Sequence, residues 1–465
     1  MRQTFFFYDL ETSGLNPRYD RVMQFAGQRT DLEMNLIGDP VNFLVRLSDD
    51  ILPSPEALMV TGITPQSVNA DGVTEAEFAK KVSDEIFTPG TIAVGFNSIR
   101  FDDEFMRHTL WRSFYDPYEW TWADNRSRWD ILDVVRLVRA LRPNGIKWPV
   151  DKEGKAVNRL VSLTEANKLE HLHAHDALSD VEATIQVAKM LREKQPKIWQ
   201  FLLDNRGKNE IAKIVNLDGP KPFVYASGRY NAEFEKTTVA FPIAPGRKPG
   251  SVLVYDLRVN PDEVEKLLVK KPKKADDAID WRAIPVKEMA YNRCPAVAPL
   301  GVWDDDTAKR LKLSIGTIQE NHAKLAKNQG LVDKLVEIWT ERPDFPPAAD
   351  VEGQLYDSFM PDGDKVRTRA VRACTPEELA DFHPNFDDER LTELLFRYKA
   401  RNFPTSLSED EAKKWETFRR EKFARELPGY FERLAQLAET TDDNDKQFIL
   451  EEIQLFVESN MPADE

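Results

Sequence analysis

At 465 residues the chain is long enough for two to four domains with real cores. Its apolar and charged fractions, 41% and 31%, are those of a soluble globular protein. No stretch approaches the roughly 18 apolar residues of a membrane span. The net charge of −15 excludes a bulk basic surface, yet residues 426–465 hold eleven acids against Arg433 and Lys446, a net of −9, so the first 425 residues carry only −6. Two cysteines, Cys294 and Cys374, exclude a disulfide framework and a cysteine-rich zinc cluster. The opening residues lead into too short an apolar run for a signal peptide, so a reducing cytoplasm is the expected compartment.

The first apolar run, Phe5-Phe6-Phe7-Tyr8-Asp9-Leu10-Glu11-Thr12, reads as a buried β-strand. Val22–Ala26, Val41–Val45 and Thr91–Asn97 suit further strands of an α/β sheet. Thr61-Gly62-Ile63-Thr64-Pro65 reads as a turn leading to a helix cap. Asp130–Leu141 and Ala177–Leu191 read as amphipathic helices. From about 196 to 349 the texture changes to short β-rich runs such as Phe223–Tyr225 and Val252–Tyr255, separated by Pro- and Gly-bearing turns. That pattern suits a small β-barrel with a helical insertion near Pro261–Val269. The basic run Lys270-Lys271-Pro272-Lys273-Lys274 reads as a solvated surface segment. From about 350 onward the pattern is helical, as in Leu391–Ala400 and Glu409–Glu426. The expected divisions are 1–195, 196–349 and 350–465.

Three places carry chemistry. Side chains alternate faces along a strand, so Asp9 and Glu11 point the same way. Unpaired buried charges are very costly, and a hard divalent cation such as Mg²⁺ or Mn²⁺ compensates paired carboxylates well. The bland alternative is a strand that ends at Tyr8, with both acids solvated in a turn. The second place is Asn97-Ser98-Ile99-Arg100-Phe101-Asp102-Asp103-Glu104, where a strand gives way to a helix start. Acids are favoured there by the helix dipole alone. The third is His171-Leu172-His173-Ala174-His175-Asp176-Ala177-Leu178-Ser179-Asp180. His175 and Asp180 would stand about 140° apart on one helix. They can serve one site if His175 lies in the loop before the helix. Asp176 and Asp180 share a helical face, and spacing does not choose between them.

D-x-E on the first strand, F-D after an Asn-bearing strand end and H-x-x-x-x-D opening a late helix resemble the three motifs of the DEDDh 3′→5′ exonucleases. The likeness extends to Arg100–Glu104, Phe114–Tyr118 with Trp120 and Trp122, Ser127–Asp130, Ala140–Pro143, Asn292 with Cys294-Pro295, and Ala400–Pro404. These resemble the bacterial exonuclease I family over almost the whole chain. The first motif reads Asp-Leu-Glu-Thr-Ser-Gly, and the barrel and tail match only in patches. The resemblance implies an α/β ribonuclease H-like exonuclease domain, an SH3-like β-barrel and an all-α C-terminal domain. It implies that Asp9, Glu11, Asp102 and Asp180 hold two Mg²⁺ ions, for which Mn²⁺ can substitute, and that His175 is the general base. It prefers Asp180 over Asp176.

The implied reaction is processive hydrolysis of single-stranded DNA from a free 3′ end to mononucleotides, in repair and recombination. The implied partner is single-stranded DNA-binding protein, through its acidic tail. A monomer in the cytoplasm, associated with the nucleoid, is expected.

A nuclease without sequence preference needs cations for phosphates and flat rings for bases. Residues 100–142 supply eight arginines, but also eight acids, so placement must be selective. Correspondence with the family points to Glu11, Arg107, Tyr118, Trp122, Arg136, Arg142 and Arg159 as substrate contacts. Taken alone, each Trp reads more readily as core packing. An RNA-directed exonuclease and a non-catalytic scaffold are the rival readings. The first would not need the later domains, and the second would lack a carboxylate. The later domains are expected to supply grip, so that a chain ending near 195 would still cleave but let go early.

Overall fold

In a computed structural model of the chain, which describes residues 3–172, 174–269 and 284–462, the first strand β1 runs Thr4–Thr12. It continues through both acids and does not end at Tyr8, because Phe5–Tyr8 and Leu10 are all buried and Asp9 to Glu11 stay paired to a neighbour. That neighbour is β2 (Val22–Thr30), antiparallel to β1, with β3 (Val41–Leu44) beyond it. On its other side β1 pairs in parallel with β4 (Thr91–Gly95), Phe7 opposite Val94. With β5 (Ser127–Asp130) the sheet order is β3-β2-β1-β4-β5. The parallel pairing fixes the site, since the chain leaving β4 emerges at the same end as Asp9 and Glu11. His173 and the 270–274 basic run lie outside the described residues.

The chain divides into two compact units, one of Met1–Ser127, Leu172–Glu182 and Pro346–Glu465, the other of Arg128–His171 and Ala183–Phe345. In the first, one core stacks Phe6, Tyr8, Phe25, Phe78, Phe87, Phe105 and Trp120 over the sheet. A second joins Met23, Leu47 and Leu58 to Leu434, Ile449, Ile453 and Phe456. A third joins Trp111 and Phe114 to Leu355, Leu379, Leu391 and Leu394. The C-terminal helices therefore complete the hydrophobic core beside the first sheet.

Those helices include Glu389–Asn402, Glu409–Thr440 and Asn444–Ser459. The middle one runs past the expected Glu409–Glu426 stretch and on through Pro428. Burial of Leu434, with Leu427, Tyr430 and Phe431 packed beside it, outweighs the breaker.

The second unit holds β6 (Phe223–Ala226), β7 (Thr237–Pro245), β8 (Ser251–Asp256), β9 (Val286–Ala290) and β10 (Ala296–Pro299). They form an antiparallel sheet in the order β10-β6-β7-β8-β9. Its core is Phe223, Val252, Val254, Met289 and Val297, closed by Ile211 and Val215. The helix Pro261–Val269 leaves the sheet after β8, where the pattern put it. Three helices, Asp305–Arg310, Ile315–Lys327 and Gln329–Thr340, follow the last strand. The barrel-like texture of the sequence did not separate them.

Candidate active site

Asp9 and Glu11 lie near the end of β1, and their carboxylates gather with that of Asp180, all three offering oxygens within 4.8 Å of one another. Asp180 stands in the first turn of the helix Ala177–Lys194. Asp176, its rival by spacing, is engaged otherwise. Its carboxylate accepts the Ser179 N–H at 3.0 Å and the Gln24 amide at 3.3 Å, which makes it the cap of that helix. Asp102 opens the helix Asp102–Arg112 after β4, is 3% exposed, and accepts the Leu10 N–H at 3.2 Å. Its neighbour Asp103 is taken up by the Tyr8 hydroxyl at 2.6 Å.

Burial, then the charges of Asp102, Glu11, Asp180 and Asp176, push the Asp9 carboxyl well above its usual range. Burial, then Asp180, Asp102 and Asp176, push Glu11 up to about 9. Two carboxyls raised by burial and by the acids around them mark a site short of positive charge. An all-oxygen donor set of this kind fits a hard divalent ion.

His175 occupies the turn just before the helix, exposed and with a left-handed φ of 69°. The loop position that the spacing demands is therefore the one it takes. His171 accepts or donates at 3.3 Å to the Thr164 hydroxyl, a local bond within the second unit.

The expected substrate contacts fall in both units. Arg107 is nearly buried, pairs with Glu104 at 3.1 Å, and lies 5.5 Å from the Tyr118 ring. The Tyr356 hydroxyl joins them, bonding Glu104 and lying 3.4 Å from Arg107. Nothing in the sequence marks Tyr356 for that place, 249 residues away from Arg107. Trp122 is 67% exposed, whereas Trp111, Trp120 and Trp129 are core. In the second unit, Arg136 pairs with Asp133 at 2.5 Å, Arg142 lies 3.5 Å from Asp304, and Arg159 is exposed at the start of the helix Leu160–Asn167. Several of the other arginines between 100 and 142 are structural. Arg112 binds Glu75, Arg126 binds the Ala123 and Phe87 carbonyls, and Arg139 binds those of Pro149 and Val157.

Three family models match the chain: Exonuclease over residues 6–188, Exonuclease I SH3-like domain over 206–341, and Exonuclease I C-terminal domain over 349–460. The exodeoxyribonuclease I of Haemophilus influenzae is 38% identical over 457 residues, 96% of each chain. The crystal structure of Escherichia coli exonuclease I in complex with a dA16 oligonucleotide is similar at a TM-score of 0.94 and 37% identity, over 99% of this chain and 100% of that one. A structure of SSB and exonuclease I in complex with the inhibitor CFAM is similar at 0.89 and 35%, with the same coverage.

Proposed function

The chain belongs to the exonuclease I family, and from that premise we propose that it hydrolyses single-stranded DNA processively from the 3′ end, releasing 5′-mononucleotides. It is an exonuclease and therefore a hydrolase of phosphodiester bonds. The observation that carries the reading is the gathering of Asp9, Glu11 and Asp180 within 4.8 Å, beside buried Asp102. Those four residues would hold two divalent ions, with Mg²⁺ as the expected metal and Mn²⁺ as its substitute. When bound, such ions lower the pKa of the attacking water and stabilise charge on the leaving 3′ oxygen.

The chain's own residues do the rest. His175, on its exposed turn, accepts the proton of the attacking water. Asp102 takes the Leu10 N–H, which ties the helix start to the strand that carries the other acids. Arg107, Arg136, Arg142 and Arg159 meet phosphates, and Tyr118 and Trp122 offer faces for bases, with Glu11 also reaching the terminal nucleotide. An indole left 67% exposed is what a stacking platform requires.

The family matches support divisions of the chain at 1–195, 196–349 and 350–465. The likeness to exonuclease I seen with SSB supports single-stranded DNA-binding protein as a partner, and its acidic tail is the expected point of contact. The same membership supports a role in repair and recombination, as a monomer near the nucleoid.

The test is digestion of single strands labelled at either end, with and without Mg²⁺. Loss of the 3′ label first, only with the metal, is the expected result. Asp9→Ala, Glu11→Ala, Asp102→Ala and Asp180→Ala should each nearly abolish cleavage while metal-free binding of single strands survives. Normal Mg²⁺-dependent cleavage by Asp9→Ala would sink the assignment.

A further inference from the structure

The strand that carries Asp9 and Glu11 is not left loose at its end. Between Thr12 and Val22 the chain makes a loop closed by its own backbone. The Ser13 N–H donates to the Arg21 carbonyl at 2.8 Å, and the Arg21 N–H donates to the Ser13 hydroxyl at 2.9 Å. This lock sits two residues past Glu11. The loop is drawn tight: a Cβ on Gly14 would stand 2.2 Å from the Asp20 carboxylate, which accepts the Asn16 N–H at 2.7 Å.

The loop is then held from outside by buried charge. The Arg21 guanidinium donates to the Tyr19 carbonyl at 2.6 Å and to Glu352 at 2.6 Å. Arg112, also buried, reaches the carbonyls of Pro17 and Arg18 at 3.4 and 3.5 Å and is itself fixed on Glu75 at 2.6 Å. Glu352 comes from the C-terminal part of the chain, in the short helix Val351–Tyr356, and is 2% exposed. Arg397 and Arg401 bind its other oxygen at 3.1 and 2.5 Å. Burial raises the Glu352 carboxyl, but Arg21, Arg401, Arg112 and Arg397 together hold it well below the usual carboxylate range. Beside it, Gly353 admits the Tyr19 hydroxyl so closely that a Cβ would meet it at 2.6 Å.

A carboxylate fixed by several guanidiniums is a rigid anchor. Metal ligands need such support, because their usefulness falls off within about 0.5 Å of the productive geometry. We propose that Glu352, acting through Arg21, is a positioning residue for the metal-bearing end of β1. The C-terminal part of the chain would then contribute to the chemistry as well as to the fold. This rests on the reading that Asp9 and Glu11 hold divalent ions.

The experiment uses the full chain and reads Mn²⁺ binding by calorimetry without nucleic acid, melting temperature, and kcat and KM on a single-stranded oligonucleotide. The variants are Arg21→Gln, Glu352→Gln and Arg397→Gln. Arg397 is the control because it shares Glu352 but, among the described residues, its hydrogen bonds go to Glu352, Asp350 and Glu393 and not to the loop. All three should melt earlier. Arg21→Gln and Glu352→Gln should also weaken Mn²⁺ binding by about 10–100-fold, as lost support of metal ligands does, and should lower kcat with little change in KM. Arg397→Gln should keep its Mn²⁺ affinity. Arg21→Lys, which retains the charge and a donor, should recover part of the loss, and it decides the matter if the Gln variants do not fold. Folded Arg21 and Glu352 variants with unchanged Mn²⁺ affinity would overturn the proposal alone. So would an equal loss in Arg397→Gln. A wild-type chain that binds no Mn²⁺ would overturn the metal reading, and this proposal with it.

Discussion

His175 is held on a turn with φ 69°, a backbone state that non-glycine residues adopt at some cost. A general base must be neutral to accept a proton, so the cleavage rate should show an acidic limb. His175→Ala should lose roughly 10²–10⁴ in rate and flatten that acidic limb. His171→Ala should lose little, since that ring is occupied with Thr164; a larger loss from it would shift the base assignment. Glu11 gives a second expectation. Burial, then the neighbouring acids, push its carboxyl up to about 9 in the folded chain from an ordinary 4.5. Between those values the metal-free folded chain keeps a proton that the unfolded chain has released, so stability falls as pH rises across that window. A divalent ion binds the deprotonated form. Adding Mg²⁺ should therefore raise Tm more at pH 8 than at pH 6, in scanning calorimetry against a chelator control. Equal gains at the two pH values would mean that these acids are not the binding groups.

The elements that position the site were legible to different degrees. Strand β1 announced itself through four consecutive aromatics, and its alternation put Asp9 and Glu11 on one side before any partner strand was known. The helix Ala177–Lys194 was visible from its periodicity, but the choice between Asp176 and Asp180 was not. Both occupy the same face, and only the Ser179 N–H shows which of them caps. Trp122 and Trp120 differ by two positions and are alike in composition, yet one is exposed and the other is core. A local pattern does not carry that distinction, because it depends on Phe87 and Tyr8 closing over Trp120 alone. Pro428 is tolerated inside its helix for a related reason. An interior proline forfeits a helical hydrogen bond at about 3 kcal/mol, and the apolar contacts that outweigh it come from residues hundreds of positions earlier, Met23 and Leu47 among them. Pro428→Ala should raise stability by roughly 1–3 kcal/mol in urea unfolding. A decrease would mean that the helix needs its proline to seat Tyr430 and Phe431.

At the scale of the molecule, residues 1–127, 172–182 and 346–465 form one compact unit. Asp50 is fully buried and is neutralised by Arg401 at 2.8 Å and Lys422 at 3.2 Å, just as Arg21 depends on Glu352. Stripping one partner from a buried pair costs about 3–5 kcal/mol, and a domain's whole stability is about 5–15 kcal/mol. A chain ending at residue 195 loses both sets of partners, together with the apolar cover from Leu434, Ile449 and Phe456. It should show no cooperative thermal transition by circular dichroism and no cleavage. A cooperative, Mg²⁺-dependent nuclease of that length would show that the first sheet folds without its C-terminal cover. The same wiring sets a schedule for synthesis. Arg21 and Glu352 are 331 positions apart, and Asp50 and Arg401 are 351. At roughly 5–20 residues per second a ribosome takes about 20–70 s to deliver the second member of each pair. For that interval the strand that carries Asp9 and Glu11 has already emerged while the partners of Arg21 and Asp50 have yet to be translated. The nascent chain must wait, half covered, for its last residues before the end of β1 can set.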